Sequence, residues 1–188
     1  MSDQPVLWTG SEIAAATGGR LIGGDFQVTG LTYNSRDIGP GDLFLALRGA
    51  RDGHDFAASA YTAGAVGALV ERPVEGGPQV VVAMDTLRAL EAMGAASRDR
   101  AKDCRRGAVT GSVGKTSVTQ AIRAGLELAT LKNGGRAHGS IKSYNNHIGV
   151  PLTLARMPAD TGRAIFEIGM NAPGEIGPLS QQVQPHAA

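Results

Sequence analysis

The glycine-rich loop at residues 110–117 constrains the fold of this chain more than any other segment. Its sequence is TGSVGKTS. A short apolar run precedes it, and an alanine-rich segment typical of a helix follows it. Glycines before a helix leave backbone N–H groups free to surround an anion, and the helix N-terminus adds a partial positive charge. The loop lysine, Lys115, can reach the outer phosphates of a nucleotide, and the hydroxyl of Thr116 can hold Mg²⁺.

This pattern predicts a phosphate site for ATP or GTP. It departs from the usual loop at one position, because Val109 stands where a glycine normally begins the motif. The alternative is a Gly-Lys turn without a ligand, and the strand–loop–helix context favours the phosphate site. The residues predicted to bind the nucleotide are Gly111, Ser112, Val113, Gly114, Lys115, Thr116 and Ser117.

The composition narrows the class of protein. With 188 residues and 42% hydrophobic side chains, the chain can form one large domain or two small ones. The 18 basic and 17 acidic residues nearly cancel, which argues against a nucleic-acid partner. The single cysteine, Cys104, excludes an internal disulfide and suits a reducing compartment. Neither a signal peptide nor a membrane-spanning apolar stretch is evident, so we expect a cytoplasmic protein without membrane insertion.

Residues 1–100 predict a small mixed α/β domain. Thr9 and Glu12 have the spacing of a capping box, which starts a short helix that ends at Gly18. Asp85 has the position of an N-cap for a helix that reaches about residue 98. The other predicted elements are strands at 28–33, 43–47, 68–70 and 80–82, a turn at 39–41 and a helix over 56–63.

Residues 106–188 alternate strands and helices, which predicts a mostly parallel, doubly wound sheet with helices on both faces. The predicted elements are strands at 108–110 and 163–168, a helix over 116–128 and a helix within 147–155. In the first of these helices, Val118, Ala121, Ile122 and Gly125 share one face, which we expect to pack on the sheet. Since the sequence stops where a further strand should begin, we expect a truncated sheet with an unpaired apolar edge.

Polar residues after the second-half strands are candidates for a metal or ligand site. Glu167 ends an apolar strand downstream of the phosphate loop, a position typical of a Mg²⁺ ligand, although a surface glutamate would show the same pattern. The amides of Asn145 and Asn146 can recognise a polar ligand or simply form a turn. Lys142 could meet a phosphate, and solvent exposure is the alternative for this side chain.

Two polar, glycine-bearing loops follow strands in the first half, at 34–36 and 48–56. Loops at strand ends are natural ligand sites. The guanidinium groups of Arg36, Arg48 and Arg51 could donate paired hydrogen bonds to a phosphate. Composition is equally compatible with solvated loop charges.

Taken in order, these motifs resemble those of the Mur ligases of peptidoglycan synthesis. The resemblance covers nearly the whole chain and includes the shorter phosphate loop, which explains Val109. The motifs are NSR at 34–36, PGDLF at 40–44, DGHDF at 52–56, TGSVGKT at 110–116, NNHIGVPLT at 145–153 and EIGMN at 167–171.

The resemblance implies an ATP-dependent ligase that acts through an acyl phosphate, with ATP and Mg²⁺ as cofactors. It implies that residues 1–100 form the UDP-substrate domain, that residues 106–188 form an incomplete ATPase domain, and that the third, donor-binding domain is absent. The nearest resemblance is to the member whose substrates are UDP-N-acetylmuramoyl-tripeptide and D-alanyl-D-alanine. We expect a monomer, and no ligation by the isolated 188-residue chain.

Roles for individual residues follow from the same resemblance. Lys115, Glu167 and Asn146 are the implied catalytic residues, and Thr116 and Glu167 are the implied ligands of Mg²⁺. The implied substrate-binding residues are Ser35, Arg36, Arg48, Gly49, Asp52, His54 and Asn145.

Other functions remain open at this point. A GTPase should show Asp-x-x-Gly and Asn-Lys-x-Asp motifs after the loop, and neither occurs. The Mur ligase that adds the third peptide residue and a non-catalytic UDP-muramoyl-peptide binding module are both compatible with the chain. Folate polyglutamate synthetases share the ATPase architecture, but the first domain argues against them. Ala172 stands where the relatives often carry a histidine.

Overall fold

The structure is a computed structural model that describes residues 5–141, 143–170 and 172–188. Lys142 and the last residue of the EIGMN motif, Asn171, lie outside the described residues. The chain forms two compact units, Met1–Met93 and Gly94–Ala188. Among the described helices, none has the length and apolar character required to cross a membrane.

The first unit is a small α/β sheet domain. Its elements are β1 (Trp8–Thr9), α1 (Gly10–Thr17), β2 (Arg20–Ile22), β3 (Gln27–Val28), β4 (Gly30–Thr32), β5 (Asp42–Leu45), a 3-10 turn (Gly53–Phe56), α2 (Ala57–Thr62), β6 (Gly67–Val70), β7 (Gln79–Val81) and the beginning of α3 (Thr86–Arg100). Five strands form a sheet in the order β2-β7-β6-β5-β4, in which only β2 runs antiparallel to its neighbour. β1 and β3 form a separate antiparallel pair.

Local signals predicted most of this unit. The capping box is confirmed, since the Glu12 N–H donates to Thr9 Oγ1 (3.1 Å) and the Thr9 N–H donates to Glu12 Oε2 (2.7 Å). The cap at Asp85 is confirmed too, because its Oδ1 accepts from the Arg88 N–H at 2.9 Å. β5 and β6 are buried almost throughout, as expected of central parallel strands that read as continuous apolar runs.

One predicted strand of the first unit is wrong. The segment at 28–33 divides into β3 and β4, which pair with β1 and β5 respectively. The partner changes at Thr29, whose N–H donates to the carbonyl of Gly41 at 2.9 Å. The division therefore depends on the partners of the segment, which the local sequence does not encode.

The second unit is a parallel sheet with helices on both faces, as predicted. Its elements are β8 (Arg105–Val109), α4 (Lys115–Asn133), β9 (Arg136–Gly139), α5 (Gly149–Ala155), β10 (Thr161–Glu167) and α6 (Ile176–Val183). The strand order is β8-β10-β9, so the last strand of the sequence lies between the two earlier ones. Alternate residues of β8 and β10, among them Ala108 and Phe166, pack with α5 and α6, while Ile165 and Gly139 meet α4 on the opposite face.

The free side of β8 meets the end of the chain. The Ala108 N–H donates to the carbonyl of Ala187 at 2.9 Å, and the His186 N–H donates to the carbonyl of Arg106 at 2.7 Å. Ala187 thereby forms a parallel bridge with Gly107. Extended pairing thus begins where the sequence predicted a further strand. β9 and α6 were not predicted, because β9 (RAHG) lacks an apolar run and α6 carries Gly177 and Pro178 in its first turn.

The predicted sheet-facing side of α4 is wrong. Val118 and Ile122 are 48% and 39% exposed, whereas Thr119 is fully buried. The rotation of α4 follows from its first turn, since Thr116 is bonded to Glu167 on β10 and therefore faces the sheet. Thr119 and Arg123 lie three and seven residues further along and share that side. The spacing of apolar residues cannot predict a helix rotation that is set by a polar contact such as the one between Thr116 and Glu167.

His138 makes the second unit sensitive to acid. Its imidazole is largely enclosed on β9 but not fully buried, and Nε2 donates a hydrogen bond to the carbonyl of Thr153 at 2.8 Å. Burial lowers the pKa of His138 from 6.5 to about 4, and the neighbouring Arg123 and Arg156 also favour the neutral ring. The unfolded chain therefore binds more protons than the folded chain as the pH falls from 6.5 towards 4, and the folded state loses stability over that interval.

We expect His138→Gln, which retains an N–H donor, to reduce this acid sensitivity. Between about pH 7.5 and about pH 5, the wild-type free energy of unfolding should fall by about 2 kcal/mol more than that of the variant. Urea unfolding followed by circular dichroism at both pH values measures the difference. Equal losses in the two proteins would show that His138 does not carry the effect.

Candidate functional site

The loop between β8 and α4 has the geometry of an anion cradle. Gly111 and Gly114 have φ values of 144° and 79°, in a backbone region that residues with a Cβ atom rarely adopt. The 19-residue helix α4 starts immediately afterwards at Lys115, so its unpaired N–H groups and the positive end of its dipole face the loop. Val113 at the loop tip is 88% exposed. The loop thus presents backbone donors to solvent, as phosphate binding requires.

The Lys115 side chain reaches back across this loop. Its Nζ donates a hydrogen bond to the carbonyl of Gly111 at 2.7 Å. The ammonium group therefore lies across the loop whose amides would meet phosphate. Exchanging one weak carbonyl partner for a charged phosphate would strengthen its hydrogen bonding.

Glu167 lies beside the loop because β10 pairs with β8. In the parallel register, Glu167 is opposite Val109, the residue before the loop begins. Its side chain is fully buried, and Oε1 accepts hydrogen bonds from Thr116 Oγ1 (3.1 Å) and Asn145 Nδ2 (2.7 Å). The backbone N–H of Glu167 donates to Ser140 Oγ at 3.0 Å. The strand end therefore holds the carboxylate against the first turn of α4.

The second carboxylate oxygen of Glu167 suits a metal ion. Oε2 is buried without a hydrogen-bond partner among the described residues. A buried oxygen of this kind is costly unless a cation or a donor satisfies it. In the described part of the chain, no group of three or more His, Cys, Asp or Glu side chains is arranged so that it could hold a metal ion. Mg²⁺ does not require such a cage, since it is usually held by one or two protein oxygens together with phosphate and water.

These groups surround one cavity of about 310 Å³. Its lining includes six of the seven loop residues predicted to bind the nucleotide, all except Gly111. It also includes Glu167, Asn145 and Ser143, of which Ser143 was not predicted. The lining residues are Ser112, Val113, Gly114, Lys115, Thr116, Ser117, Ser143, Asn145 and Glu167.

The neighbouring side-chain amides of Asn145 and Asn146 make different contacts. Asn145 lies in the cavity and donates to Glu167. The Oδ1 of Asn146 accepts from the N–H groups of Ile148 (3.1 Å) and Gly149 (2.8 Å) at the start of α5. Asn146, the predicted catalytic amide, therefore stabilises a helix start in the manner of a cap, and Asn145 is the amide that faces the site.

A second cavity, of about 470 Å³, lies within the first unit. It contains Ser35 and Arg36 from the predicted substrate site. The guanidinium of Arg51 lies over the Phe56 ring at 4.7 Å from the centroid, a cation–π geometry. The lining residues are Tyr33, Asn34, Ser35, Arg36, Arg51, Phe56 and Ser59. An aromatic ring and two guanidinium groups can together hold a planar base and its phosphates.

Five predicted substrate residues do not line this cavity: Arg48, Gly49, Asp52, His54, and Asn145, which lines the phosphate cavity instead. His54 is buried, and protein groups occupy both ring nitrogens. Its Nδ1 lies 2.6 Å from Asp52 Oδ1, and Nε2 accepts the Glu71 N–H at 2.8 Å. This geometry leaves neither ring nitrogen of His54 available for a direct contact with a ligand.

The same network braces the loop at 48–56. Hydrogen bonds from the His54 backbone and side chain hold the pKa of Asp52 well below its usual range, and Arg72 adds an ion pair at 3.0 Å. Arg48 pairs with Glu71 at 2.5 Å. These contacts hold the loop whose Arg51 and Phe56 line the cavity.

Two family models match this chain. Residues 27–106 match the model described as Mur ligase family, catalytic domain, and residues 109–188 match the Mur ligase middle domain.

Curated relatives of similar sequence include the UDP-N-acetylmuramoyl-tripeptide–D-alanyl-D-alanine ligases of Rickettsia prowazekii and Escherichia coli. The chain is 35% identical to the first over 185 residues and 36% identical to the second over 179 residues. The alignments cover 97% and 95% of this chain, but 40% and 38% of the relatives. The chain thus spans about 40% of the length of these relatives.

Solved structures show the same similarity. The UDP-N-acetylmuramoylalanyl-D-glutamyl-2,6-diaminopimelate–D-alanyl-D-alanyl ligase from Acinetobacter baumannii matches with a TM-score of 0.80 and 33% identity, over 96% of this chain and 40% of that one. The MurF ligase from Thermotoga maritima in complex with ADP matches with a TM-score of 0.59 and 25% identity, over 83% of this chain and 35% of that one.

Proposed function

The chain belongs to the Mur ligase family, and on that premise we propose that it is part of the ligase that joins D-alanyl-D-alanine to UDP-N-acetylmuramoyl-tripeptide. In this ligase the chain would bind ATP and the UDP-linked precursor. The observation that carries this proposal is Glu167, whose buried and incompletely satisfied carboxylate lies against Thr116 at the phosphate loop. A buried carboxylate beside a phosphate cradle is costly in the free protein and useful when a metal-bound nucleotide arrives.

Residues 106–188 would provide the ATP site. Lys115 and the amides of residues 111–116 would hold the phosphates, as charged and backbone donors do in other phosphate loops. Thr116 and Glu167 would hold Mg²⁺, which when bound neutralises phosphate charge during the approach of an anionic nucleophile. Asn145 donates to Glu167 and would keep its carboxylate directed towards the loop.

Residues 1–100 would provide the precursor site. Arg36 and Arg51 offer forked donors for a diphosphate, and Tyr33 and Phe56 offer aromatic faces for a uracil ring. Arg48, Asp52 and His54 would support this site indirectly, by holding the loop that carries Arg51.

The proposed reaction joins these two substrates. The tripeptide carboxylate accepts the γ-phosphoryl group of ATP, which releases ADP. The amine of D-alanyl-D-alanine then attacks the acyl phosphate, loses a proton and displaces phosphate, so an amide bond forms. The chain's part in this sequence is to bind and orient the two phosphate-bearing substrates, which is the main protein contribution to phosphoryl transfer. We propose that it does so as a monomer in the cytoplasm, where the thiol of Cys104 would stay reduced.

Titration calorimetry with each ligand tests the proposal. We expect the 188-residue chain to bind ATP with Mg²⁺, and to bind UDP-N-acetylmuramoyl-tripeptide independently of ATP. Arg51→Ala should weaken precursor binding about tenfold, the effect of one charged hydrogen bond, and leave ATP binding unchanged. Arg20→Ala, an exposed arginine of β2, is the matched control.

Other results of these titrations would favour a different function or contradict the proposal. Precursor binding without ATP binding would support a non-catalytic binding module. Preference for GTP over ATP, or failure to bind either ligand, would contradict the proposal.

A further inference from the structure

Ser143 lies in the phosphate cavity beside Thr116. Its side chain is exposed, and its Oγ lies 3.1 Å from Thr116 Oγ1. The segment that carries it is hydrogen-bonded within itself and to the residues that follow β10. The Asn145 N–H donates to the Ser143 carbonyl at 2.9 Å, and the Asn145 carbonyl accepts the Gly169 N–H at 2.7 Å.

The hydrogen-bond direction follows from counting protons. The single hydroxyl proton of Thr116 is donated to Glu167 Oε1, which as a carboxylate can only accept. Ser143 must therefore donate its own proton to Thr116 Oγ1 in the free protein. The result is a chain of donors from Ser143 through Thr116 to Glu167.

Metal binding at Thr116 would weaken the first link of this chain. A ligating hydroxyl gives one of its two lone pairs to the metal, which makes its oxygen a poorer hydrogen-bond acceptor, while its proton can still go to Glu167. The Ser143 donor would then form a stronger hydrogen bond with a charged oxygen than with Thr116. Because Ser143 lines the cavity, a phosphate oxygen of the bound nucleotide is such an acceptor.

We propose that Ser143 is a further ligand-contacting residue, which donates its hydroxyl hydrogen bond to the outermost phosphate of a metal-bound nucleoside triphosphate. This inference rests on the proposed ATP site. The outermost phosphate is the one concerned, since Lys115 and the metal-binding hydroxyl of such loops serve the β- and γ-phosphates. Ser143 lies next to that hydroxyl and near Glu167, on the metal side of the cavity. Ser143 thereby contributes to the distinction between ATP and ADP.

Calorimetric titration of ATP and ADP, with Mg²⁺ and with EDTA, tests this inference in the 188-residue chain. Ser143→Ala should weaken binding of ATP with Mg²⁺ about tenfold, as expected for one hydrogen bond to a charged group. Binding of ADP, and of ATP in EDTA, should change less than about twofold. Ser180→Ala on α6 makes the same chemical change away from the cavity and should alter nothing.

A second pair of variants separates the hydroxyl from the shape of the side chain. Ser143→Thr should retain wild-type discrimination between ATP and ADP. Ser143→Val, whose side chain is nearly equal in size to threonine but lacks the hydroxyl, should lose it. Unchanged binding of ATP with Mg²⁺ by Ser143→Ala, or an equal loss for ATP and ADP, overturns the inference. Wild-type chain that binds no nucleotide instead overturns the proposed function on which it rests.

Discussion

Replacing Glu167 with glutamine is expected to abolish the contribution of Mg²⁺ to ATP binding while leaving the protein folded. The amide oxygen can still accept from Thr116 and Asn145, but the negative charge that attracts a hard cation is gone. We expect the affinity for ATP in Mg²⁺ to fall about 100-fold, to the value measured in EDTA.

The stability of Glu167→Gln provides a separate readout. The variant removes a buried charge but leaves a buried amide N–H₂ in place of Oε2, so the free energy of unfolding should stay within about 1 kcal/mol of wild type. Glu127→Gln is the matched control, because Glu127 is a half-exposed glutamate of α4 paired with Arg123. ATP binding that keeps its full dependence on Mg²⁺ in Glu167→Gln would exclude Glu167 as a metal ligand.

Lys115→Ala should weaken ATP binding about 100-fold both in Mg²⁺ and in EDTA, because the ammonium contacts phosphate with or without a metal. The fold should persist, since among the described residues the Lys115 ammonium makes a single hydrogen bond, to the carbonyl of Gly111. Titration calorimetry gives the affinity, and thermal unfolding checks the fold. Lys132→Ala, in the last turn of the same helix, should bind ATP as wild type does.

The pattern across the two variants is more informative than either loss. A lysine effect without Mg²⁺ dependence and a glutamate effect confined to Mg²⁺ separate the phosphate and metal parts of one cavity. Equal behaviour of the two variants would indicate that both changes act by disturbing the loop.

Sequence reasoning predicted the parts of the site that depend on local chemistry. The loop at 110–117, the strand before it and the helix after it are all present. The structure also brings together Thr116 and Glu167, the two residues assigned to the metal. Their roles towards a ligand remain predictions, which the variants above test.

Sequence reasoning could not place a residue whose surroundings depend on what packs against it. Asn145 and Asn146 are neighbouring residues of one type, yet Asn145 donates to Glu167 and Asn146 accepts from the N–H groups of Ile148 and Gly149 at the start of α5. His54 is a residue type that often contacts ligands, but its ring nitrogens are hydrogen-bonded to Asp52 and to the backbone N–H of Glu71. Ser143 was overlooked because a serine in a loop carries no signal until its neighbour across the cavity is known.

The sequence by itself determined the elements whose causes lie within a few residues. These include the capping box at Thr9, the left-handed glycines of the phosphate loop and the buried apolar strands. Only the tertiary structure decided which strand ends meet. β10 inserts between β8 and β9, which places Glu167 opposite Val109, 58 positions earlier in the chain. Local conformational preferences act over one or two turns, whereas strand pairing and helix rotation are set by contacts between distant segments.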